Sequence, residues 1–371
     1  MPEARKGTAG LDDELARQRA VVSGRSPPYA RVLELLPSVL SGPAGRLLEA
    51  AWRHRRFFAW YDRPLLLLAA LRNDALAEGP AHPLWRGLAA PEPSLEAVTE
   101  DALRAAFDGS HMRVFDALAH RAVQTNETSR AVAWLWPAAL AGASGGGRPI
   151  ALADVGASAG LNLVADDLPA IWTDEDGSPL QVAQRVHAVA RLGLDEAPVD
   201  ALRDDDARWL RACVWPCEPE REERLLLAVE VFRAARIRPD APVLLPIRAT
   251  NVPARLDVLS AAESGALVIA YQTVMRDYLA PEERGEYVDG MRAWLATHPH
   301  GQALWIELEG LEGGGDLPAA IVAHVRGRRG DLQSLVLGRC GYHPRRIQRF
   351  REVEAELREL LAPEAHAAAG A

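Results

Sequence analysis

The stretch Asp154-Val155-Gly156-Ala157-Ser158-Ala159-Gly160 decides how this chain of 371 residues is expected to fold. The residues that lead into it, 149–155, are almost all apolar and are predicted to form a first buried strand. Glycines at alternating positions allow a tight turn, and they let backbone amides approach a ligand near the start of a helix. The sequence therefore predicts a strand, a ligand-binding turn and a helix at this point.

Short apolar runs alternate with helical patterns beyond this turn. Further strands are predicted at residues 186–192, 243–247, 266–271 and 303–308, with 332–337 and the segment around Ile347 completing the sheet. Helical patterns lie between most of them, at residues 204–214, 220–235 and 281–296. This alternation predicts an α/β fold: a Rossmann-like, mostly parallel sheet with helices on both faces, which binds ligands at the carboxyl ends of its strands.

The chain before this sheet has a different character. Apolar residues recur at helical spacing from residue 11 to about 140, and proline-rich breaks separate the helices. The run Ser144-Gly145-Gly146-Gly147 is a flexible joint. We therefore predict a helical N-terminal domain over residues 1–143 that serves as a substrate lid, a cofactor-binding domain over 148–362, and a disordered tail over 363–371.

Composition excludes several classes of protein. The net charge of −9 argues against a general electrostatic grip on nucleic acid. Lys6 is the only lysine, so neither a Schiff-base enzyme nor a Gly-Lys-Ser/Thr phosphate loop is expected. The three cysteines form no disulfide framework, and Cys213 and Cys217 lack a second pair, so no metal site is predicted. No apolar run is long enough to cross a membrane, and we expect a cytoplasmic protein.

The glycine turn fits three patterns to different degrees. It departs twice from the Gly-x-Gly-x-x-Gly fingerprint of NAD-binding turns, at Ser158 and Leu161. Gly156-x-Ser158-x-Gly160 matches the nucleophile elbow of serine hydrolases, although that elbow normally follows several earlier strands. The turn agrees best with the acidic-x-Gly-x-Gly-x-Gly loop of S-adenosylmethionine methyltransferases, with serine in the middle place. A purely structural turn remains a further alternative.

Polar residues near this turn are candidates for binding the cofactor. Asp195 follows the second predicted strand, where a carboxylate can accept the hydrogens of both ribose hydroxyls. Together with Asn162, it joins the residues of the turn itself in the predicted cofactor site, which comprises Asp154, Gly156, Ser158, Gly160, Asn162 and Asp195. The alternative role for Asp195 is a turn or helix cap.

Other polar residues are candidates for contact with the substrate. Gln124, Asn126 and Glu127 lie between two helical patterns and are predicted to fold over the glycine turn; a surface capping cluster is the alternative. The fourth predicted strand ends in Tyr271 and Gln272, and the fifth ends in Glu307 and Glu309. We predict that Tyr271 and Glu307 act in catalysis, because a group at a strand end can accept the proton that an attacking amine or hydroxyl loses. Gln272 and Glu309 would hold the substrate.

Several motifs recur together, in this order, in one bacterial family. They include Val123-Gln-Thr-Asn-Glu127, Asp154-Val-Gly-Ala-Ser-Ala-Gly-Leu-Asn-Leu163, Gly193-Leu-Asp-Glu-Ala-Pro-Val-Asp200, Val214-Trp-Pro216, Tyr278-Leu-x-Pro-Glu-Glu-Arg284 and Trp305-x-Glu307. On these motifs the chain resembles the domain-of-unknown-function 2332 family over roughly residues 25 to 350. Members of that family look similar to Rossmann-like methyltransferases.

The resemblance implies S-adenosylmethionine as cofactor and methyl transfer to a small molecule. Methyl transfer needs chiefly alignment and the exclusion of water, which agrees with the lack of an evident catalytic constellation. The chain departs from the family where Arg248-Ala249-Thr250 replaces an acidic motif after the third strand, and where Tyr271-Gln272-Thr273 replaces a His-Ser pair. A serine hydrolase and a non-catalytic nucleoside-binding protein remain alternatives, and the oligomeric state stays open.

Overall fold

The computed structural model describes residues 5–311 and 313–362, which form two compact units. Unit 1 comprises Met1–Thr125 and Leu202–Leu226, and unit 2 comprises Asn126–Ala201 and Leu227–Ala371. The sequence analysis predicted one boundary between two domains at residues 144–147. The two units differ from that prediction, because the chain returns to unit 1 after residue 201. The predicted tail at 363–371 lies outside the described residues.

Unit 1 is built from helices. They are α1 (Leu11–Val22), α2 (Pro27–Leu40), α3 (Pro43–Trp52), α4 (Asp62–Glu78), α5 (Trp85–Leu88), α6 (Glu100–Ala106), α7 (Met112–His120) and α9 (Asp204–Cys213), joined by the start of α10 (Pro219–Ala235). The predicted helical character of this region is confirmed. Its single core includes the fully buried Trp52 and Trp209, so α9 belongs to the same core as the N-terminal helices.

The central helix α4 has few exposed positions. Leu66, Leu67, Leu68 and Leu71 are buried in the core, and the charged Arg63 is also buried. Arg63 reaches Glu14 of α1 at 2.7 Å, which supplies the partner that a buried guanidinium requires. The bond therefore holds α1 and α4 together at a point where apolar packing alone would leave a charge unsatisfied.

Unit 2 is built on one sheet of eight strands. They are β1 (Ile150–Val155), β2 (Ala188–Asp195), β3 (Val243–Pro246), β4 (Leu267–Thr273), β5 (Ala303–Gly310), β6 (Ala319–Arg326), β7 (Leu332–Cys340) and β8 (Ile347–Arg349). Their order is β3-β2-β1-β4-β5-β6-β7-β8, and the pairings from β3 through β5 are parallel. The remaining pairings, β5-β6, β6-β7 and β7-β8, are antiparallel.

Helices cover both faces of this sheet, as the alternating pattern predicts. Apolar side chains of β1 and β4 form one core with α11 (Val252–Ala262) and α12 (Pro281–Thr297). The opposite face carries α8 (Val132–Leu140) against β4 and β5, and α13 (Arg351–Leu361) against β7. All six residues of β1 are buried, as expected for a central strand covered on both sides.

Three details differ from the sequence prediction. No strand was predicted over β6, which lies between β5 and β7 and makes the last part of the sheet antiparallel. Strand β2 runs on to Asp195, so this acid is the last residue of the strand and does not follow it. The glycine turn leads into a 3-10 helix, Leu161–Asp167, where an α-helix was expected. Among the described residues, no helix is long and apolar enough to cross a membrane.

Candidate functional site

The glycine turn lies where the order of the sheet reverses. Strand β1 has β2 on one side and β4 on the other, and the chain beyond β1 passes first to β2 and β3 and later to β4 and β5. Open α/β sheets bind ligands in the crevice outside the carboxyl ends of the strands at such a reversal. The turn between Val155 and Leu161 therefore occupies the position at which a ligand is expected.

Every backbone amide from Gly156 to Gly160 donates to an acceptor within the protein. Gly156 and Ala157 donate to the carbonyl of Leu194 at 2.8 and 3.3 Å, and Gly160 donates to Ala157 at 2.7 Å. The amide of Ser158 donates to Asp195 Oδ2 at 2.8 Å, and that of Ala159 donates to Asn126 Oδ1 at 3.2 Å. The turn is thus fixed by its own surroundings, and its amides are already engaged.

The glycines of the turn are required by backbone conformation and by close packing. Gly156 and Gly160 have φ values of +77° and +69°, a region that favours glycine. A Cβ on Gly156 would lie 2.8 Å from Met275 Cγ, and one on Gly160 would lie 2.6 Å from Leu244 Cδ2. Ser158 adopts a φ of +50° although it is not glycine. Neighbouring side chains therefore explain the two glycines without any ligand.

Asp195 links the end of β2 to the glycine turn. Its Oδ2 accepts from the amide of Ser158, and its Oδ1 accepts from the amide of Ala197 at 2.8 Å. Each carboxylate oxygen has a second lone pair, so Asp195 keeps the capacity to accept two more hydrogen bonds. The predicted ribose acceptor is therefore also the residue that fixes the turn.

Asn126 lies against the glycine turn, and its side chain forms hydrogen bonds with Ser158 and with Ala159. Its Nδ2 donates to Ser158 Oγ at 2.8 Å, and its Oδ1 accepts from Ala159. Glu127 is buried and accepts from the amide of Ser129 at 3.1 Å, while its other oxygen lies 3.0 Å from His343 Nδ1. Gln124 falls in unit 1, where its backbone is hydrogen-bonded to the thiol of Cys213.

Asp154 and Tyr271 are paired across β1 and β4 and are both fully or almost fully buried. Burial raises the pKa of Asp154 to about 7, an effect that the nearby Tyr271 hydroxyl partly offsets and that Asp195 reinforces. Burial, together with the charge of Asp154, raises the pKa of Tyr271 well above its ordinary value, so this phenol is protonated at neutral pH.

Three buried polar atoms around Trp134 lack a hydrogen-bond partner among the described residues: Asp154 Oδ2, Asn162 Oδ1 and the Tyr271 hydroxyl. The indole of Trp134 lies 6.4 Å from the Tyr271 ring, and its Nε1 donates to the carbonyl of Asn162 at 2.9 Å. Leaving a buried polar atom unpaired costs roughly 1–3 kcal/mol. The unpaired atoms therefore mark this part of the sheet as a place where a ligand or water group would be stabilising.

Gln272 joins the two predicted glutamates into one buried network. Its Nε2 donates to Glu307 Oε1 at 3.1 Å and to Glu309 Oε1 at 3.0 Å. Its Oε1 accepts from the Tyr287 hydroxyl and from Trp305 Nε1. If the Gln272 amide were rotated by 180°, its oxygen would face the carboxylates of Glu307 and Glu309. The network therefore fixes which atom is the nitrogen. Gln272 is completely buried, and its two hydrogen bonds hold the carboxylates of Glu307 and Glu309 in place.

Glu309 is held inside this network. Its Oε1 also accepts from the amides of Met275 and Arg276 at 3.0 and 3.3 Å. Burial raises the pKa of Glu309, and the like charge of Glu307 adds to the rise. The chain that follows β4 is therefore anchored on this carboxylate, which gives Glu309 a structural role at the strand end.

Glu307 is the first residue of a hydrogen-bonded relay, Glu307–His324–Ser334, that was not predicted from the sequence. Its Oε2 lies 2.9 Å from His324 Nε2, and His324 Nδ1 lies 2.8 Å from the hydroxyl of the exposed Ser334. Arg276 Nη1 donates to Glu307 Oε1 at 3.1 Å, and the His324 ring stacks on Trp305 at 4.3 Å. Because Glu307 accepts at Nε2, a neutral His324 presents the lone pair of Nδ1 to Ser334. This is the geometry of a general base.

The missed relay depends on β6. His324 and Ser334 face each other across β6 and β7, and His324 faces Trp305 across β5 and β6. The alternating pattern of Ala319–Arg326 is the signal that would have found the strand, and with it the histidine. Arg248, which lies after β3, is largely exposed and pairs with Glu283 at 3.2 Å.

The chain matches the model of a family described as "Uncharacterized protein conserved in bacteria (DUF2332)" over residues 13–349. Because this match covers most of the chain, the chain belongs to that family. No curated protein and no solved structure matches it.

Proposed function

We propose that this member of the DUF2332 family binds S-adenosylmethionine at the glycine turn and transfers its methyl group to a small molecule. The observation that carries the proposal is the closed turn: its five amides already donate to protein acceptors, and no α-helix begins behind it. A dinucleotide needs free amides at a helix N-terminus for its pyrophosphate. S-adenosylmethionine has no phosphate, so the closed turn favours it over NAD among nucleoside cofactors.

The acidic residues beside the turn supply what such a cofactor needs. Asp195 retains two acceptor positions for the ribose hydroxyls, at the end of the strand next to β1. Asp154 Oδ2 is a buried acceptor without a partner among the described residues and suits the ammonium group of the methionine part. Both assignments agree with a cofactor that is positively charged at the sulfonium and the amine.

In this proposal, Glu307 near the end of β5 takes the proton that the methyl acceptor loses. The sulfonium methyl is already electrophilic, so the protein has to align the acceptor with it and exclude water. The Glu307 carboxylate accepts the proton from the attacking atom, and His324, whose Nε2 lies 2.9 Å from Glu307 Oε2, is a positioning residue for that carboxylate. Gln272 and Arg276 keep the Glu307 carboxylate in place.

Calorimetric titration with S-adenosylmethionine, S-adenosylhomocysteine and NAD tests the cofactor. We expect the first two to bind and NAD not to bind. Asp195→Ala should weaken binding at least tenfold, whereas Glu196→Gln, a change of charge at an exposed neighbouring position, should leave it unchanged. Absence of binding by all three ligands, to protein whose folding is shown by circular dichroism, would overturn the proposal.

The Ser334–His324–Glu307 distances favour serine hydrolysis as a second candidate function. In this case the Ser334 hydroxyl attacks an acyl carbon as His324 takes its proton, and His324 then returns this proton to the alcohol or amine that leaves. Water activated by His324 releases the acid from Ser334 in the second step. The alternative nucleophile, Ser158, accepts a hydrogen bond from Asn126 Nδ2 at its hydroxyl. A fluorophosphonate probe should label the wild type and Ser158→Ala but not Ser334→Ala if this candidate is correct. An unlabelled wild type removes it.

A further inference from the structure

Four side chains in unit 1 form a cluster that the proposed function does not use. Asp74 and Glu78 are one turn apart on α4, His82 follows the end of that helix, and His111 directly precedes α7. Their ligand atoms all lie within 4.8 Å of one another. The spacing Asp74-x3-Glu78-x3-His82 is visible in the sequence, but His111 joins it only through the fold.

The cluster is centred on the buried carboxylate of Asp74. Its Oδ2 lies 2.7 Å from His111 Nδ1 and 3.2 Å from His82 Nε2, and its Oδ1 accepts from Arg113 at 2.5 Å. His111 Nδ1 is also 3.5 Å from Glu78 Oε2. One imidazole nitrogen is thus shared between two carboxylates, a position where a cation can replace the shared proton.

His82 is prevented from acting as a direct ligand by its other nitrogen. The amide of Leu84 donates to His82 Nδ1 at 3.0 Å, so that nitrogen carries no hydrogen and Nε2 must be the protonated one. A metal on Nε2 would require the hydrogen to move to Nδ1, where it would meet the amide of Leu84. His82 therefore donates from Nε2 to Asp74 Oδ2 and orients that carboxylate, as groups beside a metal site commonly do.

A cavity opens beside the other three side chains. It has a volume of about 400 Å³ and is lined by Asp74, Glu78, Ser110, His111, Met112 and Arg113. Asp74 is buried, so its carboxylate is held in one position, whereas the partly exposed Glu78 side chain can adjust its position. Both carboxylates line the cavity. The cavity supplies both an entry path and space for water or a substrate on the open side of an ion.

We propose that Asp74 Oδ2, the Glu78 carboxylate and His111 Nδ1 bind a divalent transition-metal ion of the zinc type, with its remaining position open to this cavity. Ligands about 2.0–2.1 Å from a tetrahedral ion lie roughly 3.3 Å apart. The 3.5 Å between His111 and Glu78 already fits this spacing. The 2.7 Å between His111 and Asp74 is a hydrogen bond that lengthens when the metal replaces its proton.

The chemistry of the ligands selects the class of metal. Imidazole with carboxylates suits zinc and related first-row ions, whereas magnesium and calcium prefer oxygen ligands throughout. The two carboxylates carry two negative charges, of which Arg113 balances one through the Asp74 oxygen that faces away from the ion. Three protein ligands and an open position are the arrangement of catalytic rather than structural zinc sites.

Metal binding to the full-length chain, first treated with a chelator, tests this site. Calorimetry with Zn²⁺ and the visible absorption of Co²⁺ should show one site per chain, and Mg²⁺ should not compete. His111→Ala and Glu78→Gln should each weaken Zn²⁺ binding at least a hundredfold, and His82→Gln should weaken it by about tenfold to a hundredfold, as expected for an orienting group. Circular dichroism establishes that each variant is folded.

Two control variants make the result specific. His120→Ala removes an exposed histidine from the same helix, α7, and should leave the affinity unchanged. Cys217→Ser tests whether metal binds instead through the Cys213–Cys217 pair. The proposal is overturned if Zn²⁺ and Co²⁺ do not bind to folded protein, if His111→Ala binds as tightly as the wild type, or if Cys217→Ser abolishes binding.

Discussion

At the scale of single residues, burial dominates the behaviour of this candidate site. Tyr271 and Gln272 were expected to face a substrate because they end a strand, but both are completely inaccessible. A strand end predicts which edge of the sheet a residue occupies, but not whether a neighbouring helix covers it. Here Trp134 of α8 covers Tyr271, and Tyr287 of α12 covers Gln272. These contacts join residues more than ten positions apart and leave no local pattern.

Asp154 should make the stability of the folded chain depend on pH. Its pKa is about 7 in the folded state, against an ordinary value near 3.8, because burial disfavours the charged form. Below about pH 4, Asp154 is protonated in the folded and the unfolded chain, and its burial costs no charge. The free energy of unfolding then falls as pH rises from about 4 through 7, because the unfolded chain loses this proton more easily than the folded one. The cost at higher pH is on the order of 4 kcal/mol.

Asp154→Asn should remove this part of the pH dependence. We expect the difference in unfolding free energy, variant minus wild type, to rise between pH 5 and pH 8, as measured by urea denaturation. Asp257→Asn, an exposed change of the same kind, should show no such trend. A difference that stays constant from pH 5 to pH 8 would mean that Asp154 is charged throughout this range.

At the scale of elements, sequence patterns predicted every strand of the described sheet except β6, including the antiparallel strands β7 and β8. Strands β1, β4 and β5 appear as continuous apolar runs because helices cover them on both sides. Strand β6 was missed, although most of its apolar residues are buried, since partly exposed positions such as His324 interrupt it. The relay at Ser334 could not be predicted, because it depends on the antiparallel register of three strands.

The glycine turn allows the cost of backbone conformation to be separated from the cost of packing. Gly156→Ala introduces a Cβ at a φ of +77° and 2.8 Å from Met275 Cγ, whereas Gly177→Ala introduces one at +85° with nothing within 4 Å. In both variants, the left-handed conformation should lower the free energy of unfolding by about 1–2 kcal/mol. Gly156→Ala should lose roughly 1–3 kcal/mol more from overpacking.

Thermal or urea unfolding of the two glycine variants gives this comparison directly. Gly177 serves as the matched control because it shares the conformation but not the contact. We expect Gly156→Ala also to weaken any cofactor binding at the turn, since Met275 must move. Equal losses in the two variants would show that Met275 yields without cost and that packing does not explain the glycine.

At the scale of the whole molecule, the chain leaves unit 1 after Thr125 and returns to it at Leu202. The returning segment fills the core of that unit: Trp209 is 1% exposed, and its Nε1 donates to the carbonyl of Ala122 at 2.9 Å. It also satisfies Arg72 of α4, which is buried and donates to the carbonyl of Arg211 at 2.6 Å and to Glu222. A division of the chain by composition places this segment in the wrong unit, because nothing local in α9 indicates which core it joins.

A fragment of residues 1–143 should therefore fail to form a stable unit. It would expose the core surface that Trp209 covers, and it would leave the Arg72 guanidinium with the carbonyl of Leu88 but without Arg211, Val214 and Glu222. Losses of these two kinds cost several kcal/mol each. We expect this fragment to show helical circular dichroism without a sharp thermal transition. Residues 1–125 joined to 202–226 by a flexible Gly-Ser linker restore both contacts and should unfold cooperatively. If residues 1–143 alone unfolded as sharply as the joined fragment, the returning segment would be a peripheral addition to a helical core that is complete without it.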